Sequence, residues 1–142
     1  MQPVLSFHTK PDHVSVDACI VWCFDPRFSA LLHAFERERG YAHTDVVKVA
    51  GGAKDLASPG LGSSREYLLG QIEASLRLHH APRVILMMHD DCGAYGGRRG
   101  STHYEAELRK ARQVLETFLS GKGKGDTEIE LLFCDFEGVS AL

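Results

Sequence analysis

The stretch "ACIVWCFDPR", residues 18–27, joins a strand pattern to a chemically reactive end. Its first seven residues form a continuous apolar run, rich in strand-forming side chains and short enough for one buried strand. A thiol, Cys23, closes this run, and a carboxylate and a guanidinium, Asp25 and Arg27, follow within four residues. Packing alone requires only the apolar part. The polar end therefore predicts a chemical site where this strand ends.

Three further apolar runs have the pattern of strands, and helical patterns separate them. The strands are expected at 45–50, 83–89 and 128–136, and the helices at 27–40, 63–80 and from about 102. This alternation predicts an α/β fold, a three-layer sandwich in which helices cover both faces of a mainly parallel sheet of four or five strands. We find no internal repeat, so we expect a single domain over 1–142, with residues 1–17 as an N-terminal arm.

Two sequence signals are expected to begin helices. Ser63 with Glu66, and Thr102 with Glu105, have the spacing of capping boxes. The segment "GGAKDLASPGLG" at 51–62 is expected to form a loop.

Candidate metal ligands lie at the ends of two predicted strands. In open parallel sheets, ligands bind beyond the carboxyl ends of the strands, where the strand order reverses. Cys23 ends the first strand, His89 ends the third, and Cys92 follows His89 in "HDDC". If these strands are neighbours at the reversal, the three side chains face one crevice. Two sulfurs and one imidazole nitrogen suit zinc, so the sequence predicts a zinc site.

Asp25 and Arg27 bear on whether this zinc site is open. A zinc with three protein ligands and an accessible fourth position is of the catalytic type. Asp25 could reach that fourth position, and Arg27 could hold it off the metal in a bidentate ion pair. The competing interpretation treats Cys23 and Cys92 as small buried hydrophobic residues. It explains each cysteine alone but does not account for the whole combination.

The two other cysteines are predicted to be core thiols. Cys19 precedes Cys23 by four residues on one strand, which separates them by ~13 Å at ~3.3 Å per residue. One zinc ion cannot bind both. Cys134, in "LLFCDF", has the same apolar surroundings and is also assigned to the core.

Two glycine-rich segments have weaker signals. "GGAK" at 51–54 could bring backbone amides and Lys54 toward the crevice, or could simply be a flexible turn. "GGRRG" at 96–100 precedes a helix and could bind an anion. The favoured interpretation of Arg98 and Arg99 is a pair of solvated arginines.

The paired motifs resemble those of the β-class carbonic anhydrases. That family has Cys-x-Asp-x-Arg after its first strand and His-x-x-Cys-Gly after its third, as in "CFDPR" at 23–27 and "HDDCG" at 89–93. The resemblance in organisation runs from about Ala18 to the last strand. It implies reversible hydration of carbon dioxide to bicarbonate by zinc-bound hydroxide. The implied zinc ligands are Cys23, His89 and Cys92, with Asp25 and Arg27 as the dyad that gates the fourth site. It further implies a homodimer with active sites near the subunit interface.

The sequence also departs from that family. Pro26 replaces a small polar residue, "KVAGG" replaces the usual "RNAG" type of segment, and the N-terminal arm is short. We find no counterpart of the glutamine that many members place beside the substrate. These departures leave the metal motif intact and leave two alternatives open. One is a related zinc hydrolase that acts on carbonyl sulfide or carbon disulfide. The other is a non-catalytic zinc module in which Asp25 closes the fourth position.

Composition and charge exclude several other classes. The 142 residues are 44% hydrophobic and 25% charged, as in ordinary globular proteins. The net charge of −3 lacks the excess of positive charge typical of proteins that bind nucleic acids or anionic membranes. No apolar stretch approaches the ~20 residues that span a bilayer. The N-terminus lacks a signal-peptide pattern, so we expect a cytoplasmic protein whose four cysteines are thiols or ligands rather than disulfides.

Overall fold

The computed structural model describes residues 1–142 and contains one five-stranded sheet. The strands are β1 (Ala18–Cys23), β2 (Thr44–Val49), β3 (Arg83–His89), β4 (Glu128–Cys134) and β5 (Val139–Ala141). The helices are α1 (Ser29–Glu38), α2 (Lys54–Ala57), α3 (Ser64–Leu78) and α4 (Ser101–Gly121). Short 3-10 helices, Pro26–Phe28 and Gly93–Tyr95, follow β1 and β3.

The sheet order is β2-β1-β3-β4-β5. The first four strands in this order are parallel, and β5 is antiparallel to β4. Helices lie on both faces of the sheet. Successive residues of β1 point to opposite sides, so its side chains meet helices on each face. Trp22 of β1 stacks on Phe35 of α1, whereas α3 contacts β1 on the other face. The predicted α/β class, with its mainly parallel sheet between helical layers, is confirmed.

Strand β1 is the most enclosed element of the sheet. All six of its residues are buried, because β2 and β3 flank it and helices cover both of its faces. This environment explains why its sequence is continuously apolar and does not alternate.

The chain ends and loops differ from expectation in three places. The last long strand stops at Cys134 because the Asp135 carboxylate accepts hydrogen bonds from the backbone of Glu137 and Gly138. The resulting turn begins β5, a strand with no separate signal in the sequence. The expected loop at 51–62 contains α2, which buries Leu56 and Ala57. The N-terminal arm is exposed only through residue 15, since Val16 is buried and its N–H donates to the His79 carbonyl.

Both predicted capping boxes are wrong. The Ser63 side chain makes no hydrogen bond to α3. Thr102 lies inside α4, which starts one residue earlier, after Gly100. A contact with another loop fixes this start, because the Gly100 N–H donates to Asp90 Oδ1 at 2.8 Å. None of the helices combines the length and the hydrophobicity that crossing a membrane requires.

The loop after β2 packs tightly on the end of β3. The Ala53 N–H donates to the Met87 carbonyl at 3.0 Å. Gly52 has a φ of +59°, and a Cβ at this position would lie 2.2 Å from the Met87 oxygen. Only glycine allows this close approach.

Gly52→Ala should therefore destabilise the protein more than Gly40→Ala. Gly40 has a similar φ of +65° but open space around its Cβ position, so its substitution costs only the left-handed backbone strain of ~1–2 kcal/mol. Gly52→Ala adds a clash with backbone and should cost at least ~3 kcal/mol in the free energy of unfolding, measured in urea. Equal losses for the two variants would contradict the close packing of this loop on β3.

Candidate metal centre

Strands β1 and β3 end side by side where the sheet order reverses. They are hydrogen-bonded neighbours, with β2 on one side of the pair and β4 on the other. The condition on which the predicted site depends is therefore met. Cys23 is the last residue of β1, His89 is the last of β3, and Cys92 follows after a short turn.

The structure brings these three side chains together. The two sulfurs and one ring nitrogen of His89 all lie within 4.8 Å of one another. Relative exposure is 2% for Cys23, 0% for His89 and 3% for Cys92. Three soft or borderline donors converge on one point that bulk water hardly reaches, which is a suitable arrangement for a metal ion.

The ring of His89 is oriented with one nitrogen toward this point. Nδ1 lies 2.7 Å from the Asp90 carbonyl oxygen, so Nδ1 carries the proton and donates it. Nε2 is buried and has no hydrogen-bond partner. Phe28 packs against the imidazole with a centroid separation of 4.3 Å. A buried Nε2 without a partner is costly in a protein that binds nothing there, and it is the atom that a metal would use.

The loop that carries Cys92 is held by α4. The Cys92 N–H donates to the Tyr104 hydroxyl oxygen at 3.2 Å, and that hydroxyl donates to the Arg98 carbonyl at 2.7 Å. Asp91, with a φ of +56°, turns the chain, and its N–H also donates to the Arg98 carbonyl. The sequence analysis missed Tyr104, because its contact depends on how α4 packs and leaves no spacing signal beside the ligands.

Asp25 and Arg27 form the predicted bidentate pair. Arg27 Nε donates to Asp25 Oδ1 at 3.0 Å, and Nη2 donates to Oδ2 at 2.7 Å. The backbone N–H of Arg27 adds a third hydrogen bond to Oδ1. Hydrogen bonds from Arg27 hold the pKa of Asp25 below its usual value, so Asp25 is an anion. Its Oδ2 lies only 3.9 Å from His89 Nε2.

The two ligand thiols differ electrostatically from the two core thiols. The neighbouring Cys92 thiol stabilises the thiolate of Cys23 and lowers its pKa, and the imidazole of His89 adds to this effect. The same interaction raises the pKa of Cys92, as does burial, so the two thiols titrate as a coupled pair. Burial raises the pKa of Cys19 and of Cys134 to about 12, so both remain neutral core thiols.

A small cavity opens onto the thiols. Its volume is about 310 Å³, and its walls include Cys23, Asp25 and Cys92 with the small residues Ala50, Gly51 and Ala94. A larger cavity of about 430 Å³ lies at the opposite, amino end of β3 and β4. No cluster of metal ligands lines that larger cavity, so the position of the donor atoms identifies the site and cavity size does not.

Lys54, Arg98 and Arg99 lie outside the ligand cluster. Lys54 Nζ donates to the Ser58 carbonyl at 2.8 Å and lies over the Tyr95 ring. These contacts hold its ammonium group outside the ligand cluster. Arg99 is exposed but pairs with Asp90 at 2.8 Å. Arg98 contacts His103 and supplies the carbonyl described above. Both arginines are exposed, as the sequence predicted, and their side chains make surface contacts only.

Comparison with known proteins identifies the fold. No model of a known protein family matches the sequence, and no curated protein matches it. Solved structures do match. The carbonic anhydrase of Streptococcus mutans superposes with a TM-score of 0.66 at 14% identity, covering 96% of this chain and 87% of that one. The β-carbonic anhydrase isoform I of Trichomonas vaginalis gives 0.53 at 17% identity, covering 96% and 87%. The chain has the β-carbonic anhydrase fold.

A third match is a tetrameric β-carbonic anhydrase of Sordaria macrospora, with a TM-score of 0.54 at 13% identity, covering 91% of this chain and 81% of that one. At these identities the comparisons establish the shared fold. The site must be argued from the residues of this chain.

Proposed function

We propose that this protein is a zinc-dependent carbonic anhydrase that hydrates carbon dioxide reversibly to bicarbonate. The observation that carries the proposal is the convergence of Cys23, His89 and Cys92 beside an Asp25 carboxylate that Arg27 holds. The β-carbonic anhydrase fold supports it, since the matched structures are named as carbonic anhydrases.

The donor set suits zinc. Cys23, His89 and Cys92 would hold the ion through two sulfurs and Nε2, the buried nitrogen that has no other partner. When bound there, zinc would act as a Lewis acid and make a water molecule nucleophilic near neutral pH.

The protein's own residues would position and protect the reacting groups. Asp25 is ionised and can only accept hydrogen bonds, so its Oδ2 would accept from the attacking nucleophile and orient it. The small walls of the cavity, with Ala50 and Gly51, fit a molecule as small as carbon dioxide. Arg27 would keep Asp25 on its side of the cavity, away from the ligand atoms.

Carbon dioxide hydration by the zinc-loaded chain, followed by stopped flow across pH, tests the proposal. The wild type should be active. Cys23→Ser and Cys92→Ser should lose zinc and at least ~100-fold in kcat/KM, more than the loss of a supporting contact would cause. Cys19→Ala is the matched control, because Cys19 is a fully buried thiol of the same strand that lies outside the ligand cluster. Its zinc content should not change. Full activity in Cys23→Ser would contradict the proposal.

The roles of Asp25 and Arg27 give a second prediction. Asp25 can pair with Arg27 or bind the metal, but it cannot do both well. Its Oδ2 lies 3.9 Å from His89 Nε2, the nitrogen that would hold the metal. Arg27→Ala should keep zinc and lose activity, with Asp25 as the fourth ligand. Asp25→Ala should keep zinc and an accessible site, yet be about 100-fold slower, because orientation of the nucleophile is lost.

An Arg27→Ala variant as active as the wild type would contradict this gating. A wild type that holds zinc but is inactive at every pH, with Asp25 on the metal, would favour the closed, non-catalytic module instead.

We also propose that the chain forms a homodimer. One side of β2 pairs with β1, and the other side is an open sheet edge that exposes Val46. Parallel sheets with an uncovered edge are prone to pair with a further chain. Phe24, next to the proposed ligand Cys23, is 60% exposed.

Sedimentation should therefore show a dimer at micromolar concentration. A single species of 15.7 kDa would contradict the assembly.

A further inference from the structure

We propose that Asp91 is a positioning residue. It fixes Arg27 in the orientation in which Arg27 keeps Asp25 off the metal. This inference rests on the proposed function. It adds a second anchor to the gate, in the loop that joins two of the ligands, His89 and Cys92.

Arg27 is bound along two edges of its guanidinium. Nε and Nη2 donate to Asp25, as described above. On the other side, Nη1 donates to Asp91 Oδ2 at 2.9 Å, and Nη2 donates to the Asp91 backbone carbonyl at 3.1 Å. Four of the five N–H groups of the side chain therefore have acceptors. Asp25 supplies only half of these contacts, so it does not define the orientation by itself.

The backbone of Asp91 is shaped to make both of its contacts. Its φ of +56° is a left-handed conformation that most residues avoid and that aspartate tolerates. The N–H of Asp91 is meanwhile fixed by the Arg98 carbonyl at 3.0 Å. This turn directs the carbonyl and the carboxylate of one residue at the same guanidinium.

Aromatic rings also confine the guanidinium. The Cζ of Arg27 lies 5.3 Å from the Phe136 ring centroid and 5.9 Å from that of Phe28. These rings limit movement along one direction, but the arginine side chain remains 43% exposed. Without Asp91, the guanidinium of Arg27 can move toward solvent, and its hydrogen bonds to Asp25 should weaken.

Loss of Asp91 should therefore act through Asp25. The Asp25 Oδ2 atom is 3.9 Å from His89 Nε2, so a small movement brings it to a metal held by that nitrogen. Removing Asp91 should increase the fraction of molecules in which Asp25 occupies the fourth position.

Thiocyanate binding to the cobalt(II)-substituted protein measures that fraction without any assay of activity. The anion changes the visible spectrum only where the fourth position is accessible, so its apparent Kd rises as that accessible fraction falls. Asp91→Ala should raise the apparent Kd about tenfold or more, as expected if Asp25 occupies about nine-tenths of the sites. Asp91→Asn, which keeps the size of the side chain and the backbone contact, should give a smaller rise.

The direction of the change separates gating from simple electrostatics. Removing a negative charge should by itself strengthen binding of an anion, whereas the gate predicts weaker binding. The double variant Asp25→Ala with Asp91→Ala should bind thiocyanate at least as tightly as Asp25→Ala alone, because no carboxylate remains to occupy the site and a further negative charge has been removed.

Arg99→Ala is the matched control. It removes an exposed arginine of the same loop but none of the hydrogen-bond acceptors of Arg27. At high ionic strength its apparent Kd should stay within about twofold of the wild type, because exposed charges are screened.

Unchanged or tighter thiocyanate binding in Asp91→Ala, with cobalt still bound, would overturn the role of Asp91 while the proposed metal site stands. Weaker binding that persists in the double variant would also overturn it, since the loss would then not pass through Asp25. A wild type that binds no cobalt would overturn this inference and the proposed function together.

Discussion

The parallel pairing of β1 with β3 determines where every candidate functional group lies. Because the two strands run side by side in the same direction, their carboxyl ends meet at one edge, and Cys23 and His89 end there together. Sequence positions 66 residues apart thereby become neighbours in space. The complete burial of β1 stabilises this arrangement, since a strand enclosed on all sides tolerates no shift in register. The site is thus a consequence of the core.

In the proposed function, Arg27 and the metal would compete for the Asp25 carboxylate. Asp25 Oδ2 lies 3.9 Å from His89 Nε2, and Arg27 binds the same oxygen at 2.7 Å. Arg27 is itself anchored by Asp91, which lies between two of the ligands. The candidate ligands and the residues proposed to control access to them therefore lie at the ends of β1 and β3 and in the segments that follow these strands. Any displacement of these loops should alter both properties together.

Much of this could be predicted from the sequence, because strong patterns have few structural solutions. The buried runs at 18–24 and 83–89 and the helical spacing between them indicated the parallel sheet and placed Cys23 and His89 at strand ends, whereas the adjacency of the two strands came from the structure. The capping box at Thr102 failed because the start of α4 is set by a contact from Asp90, in the preceding loop, which overrides the local signal. Strand β5 depends on a turn around Asp135, and the contacts of Tyr104 and Asp91 depend on loop conformation. None of these features produces a periodic pattern of apolar residues from which it could be predicted.

X-ray absorption at the zinc edge of the purified wild-type protein can show whether Cys23, His89 and Cys92 bind zinc. We expect about one zinc per chain with two sulfur ligands at ~2.3 Å and nitrogen or oxygen ligands at ~2.0–2.1 Å. In Cys92→Ser, one sulfur ligand should disappear or the zinc should be lost. A protein without zinc, or a zinc whose sulfur count does not change in Cys92→Ser, would contradict the claim that Cys23, His89 and Cys92 form a metal centre.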